Sequence, residues 1–169
     1  VPRQQVRAAL QRGQRVDRAR DLPGRLVRGR TAAGLWRFLV DTSTGEGHYD
    51  NADIGFPVGG SPVLADDAAF SFGTFGFPPP AAHVVEFQEP GERVPGRLSW
   101  TARQGGGPDE PLDVPHAWLV EDLPGGRTRV LTQESRCGKP AAALADERPA
   151  PMLNGHRAWF DGLVDAARR

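Results

Sequence analysis

Residues 149–169 read PAPMLNGHRAWFDGLVDAARR, and the rest of the chain is organised around them. At roughly 100° per residue, Met152, Leu153, His156, Trp159, Phe160, Leu163, Val164 and Ala167 fall in one continuous sector. Asn154, Arg157, Asp161, Asp165 and Arg168 fall opposite, and Gly155, Gly162 and Ala166 line one border of the apolar sector. A one-sided stripe of this kind must be buried against something. Proline is tolerated in the first turn of a helix but not deeper, so the helix is expected to start near Pro151. About eighteen residues at 1.5 Å each span roughly 27 Å, enough to cross a small sheet. Gly162 costs about 1 kcal/mol relative to alanine in mid-helix. It points either to tight packing on a sheet or to room left for a ligand.

The surface that this helix needs lies upstream, where the apolar period is two rather than 3.6. Residues 68–75 (AAFSFGTF) alternate, with Phe70, Phe72 and Thr74 on one face. Residues 82–88 (AHVVEFQ) form a strand closed by Glu89-Pro90-Gly91, and 96–103 (GRLSWTAR) alternate with Leu98 and Trp100 on one face. Residues 114–123 (VPHAWLVEDL) place Val114, His116, Trp118 and Val120 on one face. A tight Pro124-Gly125-Gly126 turn leads into 128–136 (TRVLTQESR), where Val130, Thr132 and Glu134 share a face. Before these strands, residues 31–42 (TAAGLWRFLVDT) read as a short helix with Thr31 as its N-cap and Leu35, Trp36, Leu39 and Val40 on its buried side. Residues 43–54 are turn-rich, with room for one more helical turn, and 56–62 (FPVGGSP) are a loop by composition. Sequential strands with tight turns make an antiparallel meander. The expected fold is α+β: a curved antiparallel sheet gripping the long C-terminal helix, with short helices near the N-terminal side.

A chain of 169 residues with zero formal net charge is one domain by length and can bury a core without staples. The charge is uneven: residues 1–30 hold nine arginines and two aspartates, net +7. That segment has no aromatic residue for base stacking and no nucleic-acid-binding signature follows it, so no nucleic-acid partner is expected. Its GRLVRGR stretch (24–30) holds at best a short, poor strand around Leu26 and Val27. A single cysteine, Cys137, excludes an internal disulfide framework and a cysteine-rich zinc site. Cytoplasmic localisation is expected, with no signal peptide and no membrane span. The four histidines show no metal-site spacing, there is no phosphate-binding loop and no nucleophile elbow. Neither a metal nor a cofactor is expected from these patterns.

The ordered set of features resembles the START-like, helix-grip (SRPBCC, Bet v 1-like) superfamily, and within it bacterial polyketide cyclase/dehydrase-like SRPBCC domain proteins. The residues that carry the resemblance are Leu35-Trp36-Arg37-Phe38-Leu39-Val40-Asp41, Val84-Val85-Glu86-Phe87 with its Pro-Gly turn, and Leu98-Ser99-Trp100. His116-Ala117-Trp118-Leu119, the Gly-Gly-Arg-Thr-Arg-Val turn into the last strand, and Met152-Leu153-Asn154-Gly155-His156 with Trp159, Leu163 and Val164 complete it. The chain departs from the family at its start. Members open with a clear alternating strand, whereas this slot holds arginine-rich text. The expected division is therefore 1–30, a disordered or aberrant arginine-rich segment read from GC-rich DNA, and 31–169, the helix-grip domain.

The resemblance implies a cavity between the sheet and the long helix, the default place for a ligand. Its expected lining is Phe70, Phe72, Trp100, His116, Trp118, Glu134, His156 and Trp159. The catalytic candidates are His116, Glu134 and His156. Each also has a plainer reading: a core histidine bonded to a carbonyl, a carboxylate salt-bridged to an arginine, aromatics that simply fill a core. His83 and Glu86 alternate to opposite faces, so only one of them can be inside. The first functional expectation is binding of a small hydrophobic or aromatic molecule (lipid, polyketide or isoprenoid) with no reaction assigned, by a monomer or homodimer. The alternative is a cyclase or dehydratase in which a His/Glu pair moves protons during aldol condensation and water loss. A third reading is an Hsp90-activator-like protein-interaction module.

Overall fold

The structure is a computed structural model. It describes residues 24–41, 52–54, 63–74, 80–104, 112–141 and 151–168; of 52–54, 72–74, 151 and 152 it describes the backbone alone. The described elements are β1 (Gly24–Arg28), α1 (Ala32–Val40), β2 (Ala52–Ile54), β3 (Ala69–Thr74), β4 (Ala81–Gln88), β5 (Gly96–Gln104), β6 (Leu112–Leu123), β7 (Arg127–Glu134) and α2 (Pro151–Arg168). The strands form one antiparallel seven-stranded sheet in the order β1-β7-β6-β5-β4-β3-β2. This is the expected helix-grip α+β fold, a curved open sheet with the C-terminal helix against it.

Why α2 lies where it does follows from its stripe. Gly155, His156, Trp159, Phe160, Leu163, Ala166 and Ala167 are buried, Leu153 and Val164 half-buried, and Asn154, Arg157, Asp161, Asp165 and Arg168 exposed. The buried face meets Trp100 of β5, His116 and Trp118 of β6, and Glu134 of β7; Leu98, Ala102, Val114, Val120, Thr128, Val130 and Thr132 are the other buried residues of those rows. Fully burying side chains of this size contributes about 1.5–3 kcal/mol each, which holds an otherwise marginal isolated helix in place.

Thr31 caps α1 as expected, its hydroxyl oxygen accepting from the Gly34 amide at 3.1 Å. Trp36 of α1 packs edge-on to Phe87 and onto β5 at Gly96, where a Cβ would lie 2.8 Å from the indole. Glycine is there because the ring occupies the side-chain position.

The turn-rich stretch ends in a strand, β2, with Asp53 and its neighbours paired to β3; the rest of that stretch, 43–51, where a helical turn had room, lies outside the described residues. One sequence expectation is corrected. His83 and Glu86 are both exposed. The register between β4 and β5 slips between Val84 and Glu86, and the bulge turns Glu86 outward to accept from Ser99 Oγ at 2.9 Å.

The poor strand around Leu26 and Val27 forms as β1 and pairs along β7 from Gly24↔Leu131 to Arg28↔Arg127. Its buried residue is Val27. The last part of the arginine-rich segment is thus an edge of the sheet. The remainder, 1–23, lies outside the described residues, as does the loop expected at 56–62.

Candidate functional site

Three of the polar residues expected inside meet at one point. The hairpin β6–β7 closes through Pro124, Gly125 and Gly126 on the pair Leu123↔Arg127. Both glycines hold positive φ, at 79° and 65°, which costs glycine little. This closure fixes the register, and it sets His116 directly opposite Glu134 and Trp118 opposite Thr132. From α2, His156 drops onto the same place, one turn before Trp159 and Phe160.

Glu134 is the centre. Its Oε2 lies 3.5 Å from His116 Nδ1 and 3.3 Å from His156 Nε2, while Oε1 accepts from Arg136 Nε at 2.8 Å. On its other side the His116 ring is tied to Thr132, Nε2 to Oγ1 at 2.6 Å, and the Thr132 hydroxyl reaches the Ala117 carbonyl at 3.1 Å. His116, Thr132 and His156 are at most 2 % exposed and Glu134 is 9 % exposed. The expected plainer reading of Glu134, a pairing with arginine, is present in Arg136. Sequence reasoning did not single out Arg136; its position two residues along from an inward carboxylate at a strand end was the available signal.

Burial drives the His116 imidazole down to about 3; the Glu134 carboxylate opposes this, and His156 and Arg136 add to it. Burial acts to raise Glu134. The hydrogen bond from His156 and the nearby charges of His116 and Arg136 outweigh it and hold the carboxyl at about 2. With His116 neutral, the lasting countercharge of Glu134 is Arg136. The cluster therefore offers an ionised carboxylate touching two imidazoles. That is a set able to hold and move a proton, or to ligate a cation.

Aromatic rings wall the cluster. The His116 ring stacks on Trp118 at 5.2 Å, lies 4.6 Å from Trp100, and meets Trp159 edge-on at 5.7 Å. Trp118 and Trp159 pack at 5.2 Å, and Phe70 stands edge-on to Trp100 at 5.7 Å. Phe160 completes the wall against Trp118. The side chain of Phe72 lies outside the described residues. His83 is remote from this site, in an exposed pair with Asp67 at 3.2 Å. Burial, then the Asp113 carboxylate, pushes the Cys137 thiol up, which makes it a poor nucleophile.

No protein-family model and no curated protein matches the chain. Among solved structures, the hypothetical protein jhp0584 from Helicobacter pylori is 41 % identical, with a TM-score of 0.80 over 88 % of each chain. Norcoclaurine synthase from Thalictrum flavum, in complex with a transition-state analogue, superposes with a TM-score of 0.58 at 11 % identity, covering 91 % of this chain and 98 % of that one. CalU16 from Micromonospora echinospora gives 0.57 at 14 % identity, covering 92 % and 85 %. The two distant likenesses are of fold. The chain belongs to one family with jhp0584, and its gripped helix and the two distant likenesses show that its fold is the helix-grip fold of START-like (SRPBCC, Bet v 1-like) proteins.

Proposed function

We propose that the protein binds a small, largely apolar and aromatic molecule between the sheet and α2, with its polar end at His116, Glu134 and His156. The observation that supports this most is the company the polar cluster keeps. Burying two imidazoles and a carboxylate–guanidinium pair costs several kcal/mol per unpaired charge, and hydrocarbon of the same shape would pack at least as well. Polar groups placed at such cost amid tryptophan and phenylalanine rings are what a site needs to orient a flat ligand. The superfamily supports the same reading, since a synthase of this fold holds a transition-state analogue.

The tryptophans provide the test. Titration with naphthol, a flat aromatic with one hydroxyl, is expected to quench intrinsic fluorescence saturably. Trp159→Leu and His156→Gln are expected to weaken that binding while far-ultraviolet circular dichroism stays native. Unchanged fluorescence across the titration would contradict the reading.

The convergence of two imidazoles on one carboxylate also favours the second reading, cyclase- or dehydratase-like chemistry. His156 would take a proton from the carbon between two carbonyls, with Glu134 stabilising the imidazolium 3.3 Å away. The enolate would attack a second carbonyl of the same chain and the imidazolium would return its proton to the resulting alkoxide; loss of the second proton of the attacking carbon together with the hydroxide would then release water and leave a carbon–carbon double bond. A synthetic poly-ketone incubated with the protein should then lose the mass of water faster than with Glu134→Gln. Equal rates would rule this chemistry out.

A further inference from the structure

We propose that His116 Nδ1, Glu134 Oε2 and His156 Nε2 form a site for a divalent first-row transition-metal ion, with an open coordination position for an anionic oxygen. The Ala117 carbonyl can only accept, so the single hydroxyl proton of Thr132, 3.1 Å away, is directed to it. Thr132 Oγ1 then accepts from His116 Nε2 at 2.6 Å, which fixes that tautomer and leaves a lone pair on Nδ1. This lone pair faces Glu134 Oε2, also an acceptor, at 3.5 Å. Two acceptors pointed at each other in a buried place call for something positive between them. His156 Nε2 donates to Glu134 Oε2 in the metal-free chain, and on metal binding that proton can shift to Nδ1, which has no hydrogen-bond partner among the described residues.

Geometry agrees. All three donor atoms lie within 4.8 Å of one another. The separations from Glu134 Oε2, 3.5 and 3.3 Å, are close to the edge of a tetrahedron, roughly 3.3 Å, built on metal–ligand bonds of about 2.0–2.1 Å. Two imidazoles and one carboxylate suit zinc, iron(II), cobalt or nickel better than calcium or magnesium. The outer contacts are also those of a ligating set: Thr132 takes the other N–H of His116, and Arg136 occupies Glu134 Oε1 and leaves Oε2 for the ion. Charge then says what fills the open position. A dication beside one carboxylate and one guanidinium leaves the interior doubly positive. A carboxylate, phenolate or enolate oxygen reduces that, and its place here rests on the ligand site proposed above.

The test uses the full chain, stripped with a chelator and titrated with cobalt(II) chloride and, separately, zinc chloride. One ion per chain is expected. Cobalt should give the visible d–d absorption of a four-coordinate site and quench the fluorescence of Trp100, Trp118 and Trp159, whose rings lie 4.6–5.7 Å from His116. His156→Gln should abolish uptake, Thr132→Val should weaken it about 10–100-fold, and His83→Gln should leave it unchanged. Should His156→Gln not fold, as read by circular dichroism, Thr132→Val decides. Folded wild-type protein that takes up neither ion, or a Thr132→Val protein that binds as tightly as wild type, would overturn the proposal. Naphthol binding by the metal-free protein is measured in parallel. If it persists while metal uptake fails, the metal site alone falls; if metal binds and naphthol does not, the ligand reading alone falls.

Discussion

Two polar clusters sit at opposite ends of the same inward face of β6 and β7, and they differ in what they leave unsatisfied. At the hairpin end, Asp122 Oδ1 accepts from the Ala32 amide at 2.8 Å, and Thr128 Oγ1 lies within reach of Asp122 Oδ1 and the Arg30 carbonyl. That cluster ties β1, α1 and the hairpin together, and its carboxylate stabilises the positive end of a helix. At the other end, the bonds of His116, Glu134 and His156 run to other side chains, Thr132 and Arg136 among them, and not to the backbone of a neighbouring element. Acceptor faces acceptor, and a histidine nitrogen has no partner among the described residues. A network that uses its polar groups on its own backbone reads as structure; one that leaves them turned on each other inside an aromatic wall reads as a site.

The largest effect that sharpens this contrast comes from Glu134→Ala. It takes the Glu134 carboxylate away from the Arg136 guanidinium, whose side chain is 12 % exposed, and from two buried imidazoles. Breaking such a pair from one side costs about 3–5 kcal/mol, read as a lower urea midpoint. A loss no greater than that of a surface substitution would erase the distinction.

Acid comes next. The folded chain holds His116 near 3 against an ordinary 6.5, and Glu134 near 2 against 4.5. Both folded values are depressed, so both contributions are complete above the unfolded value and are lost as pH falls toward the folded one. Stability of the metal-free protein should fall from pH 6.5 downward, first through His116 and then, below 4.5, also through Glu134. The His116→Gln variant should lose the upper part of that slope. A wild-type profile flat between pH 6.5 and 4.5 would show that His116 is not buried neutral.

Thr132→Val removes the acceptor of a buried histidine N–H, an expected cost of about 1–3 kcal/mol. The smallest change is expected at the structural cluster. Asp122→Ala removes one acceptor from the first turn of α1, worth about 1 kcal/mol, and should leave ligand and metal uptake untouched. Impaired binding in Asp122→Ala would break the separation between the two ends.

The fold was largely legible because its signals are periodic. The stripe on α2 and the alternation in β3 to β7 are read directly from residue spacing, and Pro124-Gly125-Gly126 marks the hairpin. The same turn held more than was taken from it: closing on Leu123 and Arg127, it puts His116 opposite Glu134. What spacing cannot show is contact across the layer. His116 and His156 are forty positions apart and come together only because α2 lies on β6 and β7. The bulge that turns Glu86 outward and the pairing that makes β2 a strand are likewise decided by neighbours, not by local text.

The central claim, that the interior under α2 holds a ligand with its polar end at His116, Glu134 and His156, is tested most directly by native mass spectrometry of the protein purified from its own host. The account predicts a mass above that of the polypeptide, released on denaturation as a small aromatic or apolar molecule, and absent from His156→Gln prepared alongside. A wild-type protein that flies at the bare polypeptide mass, and takes up no naphthol when it is added, would contradict it.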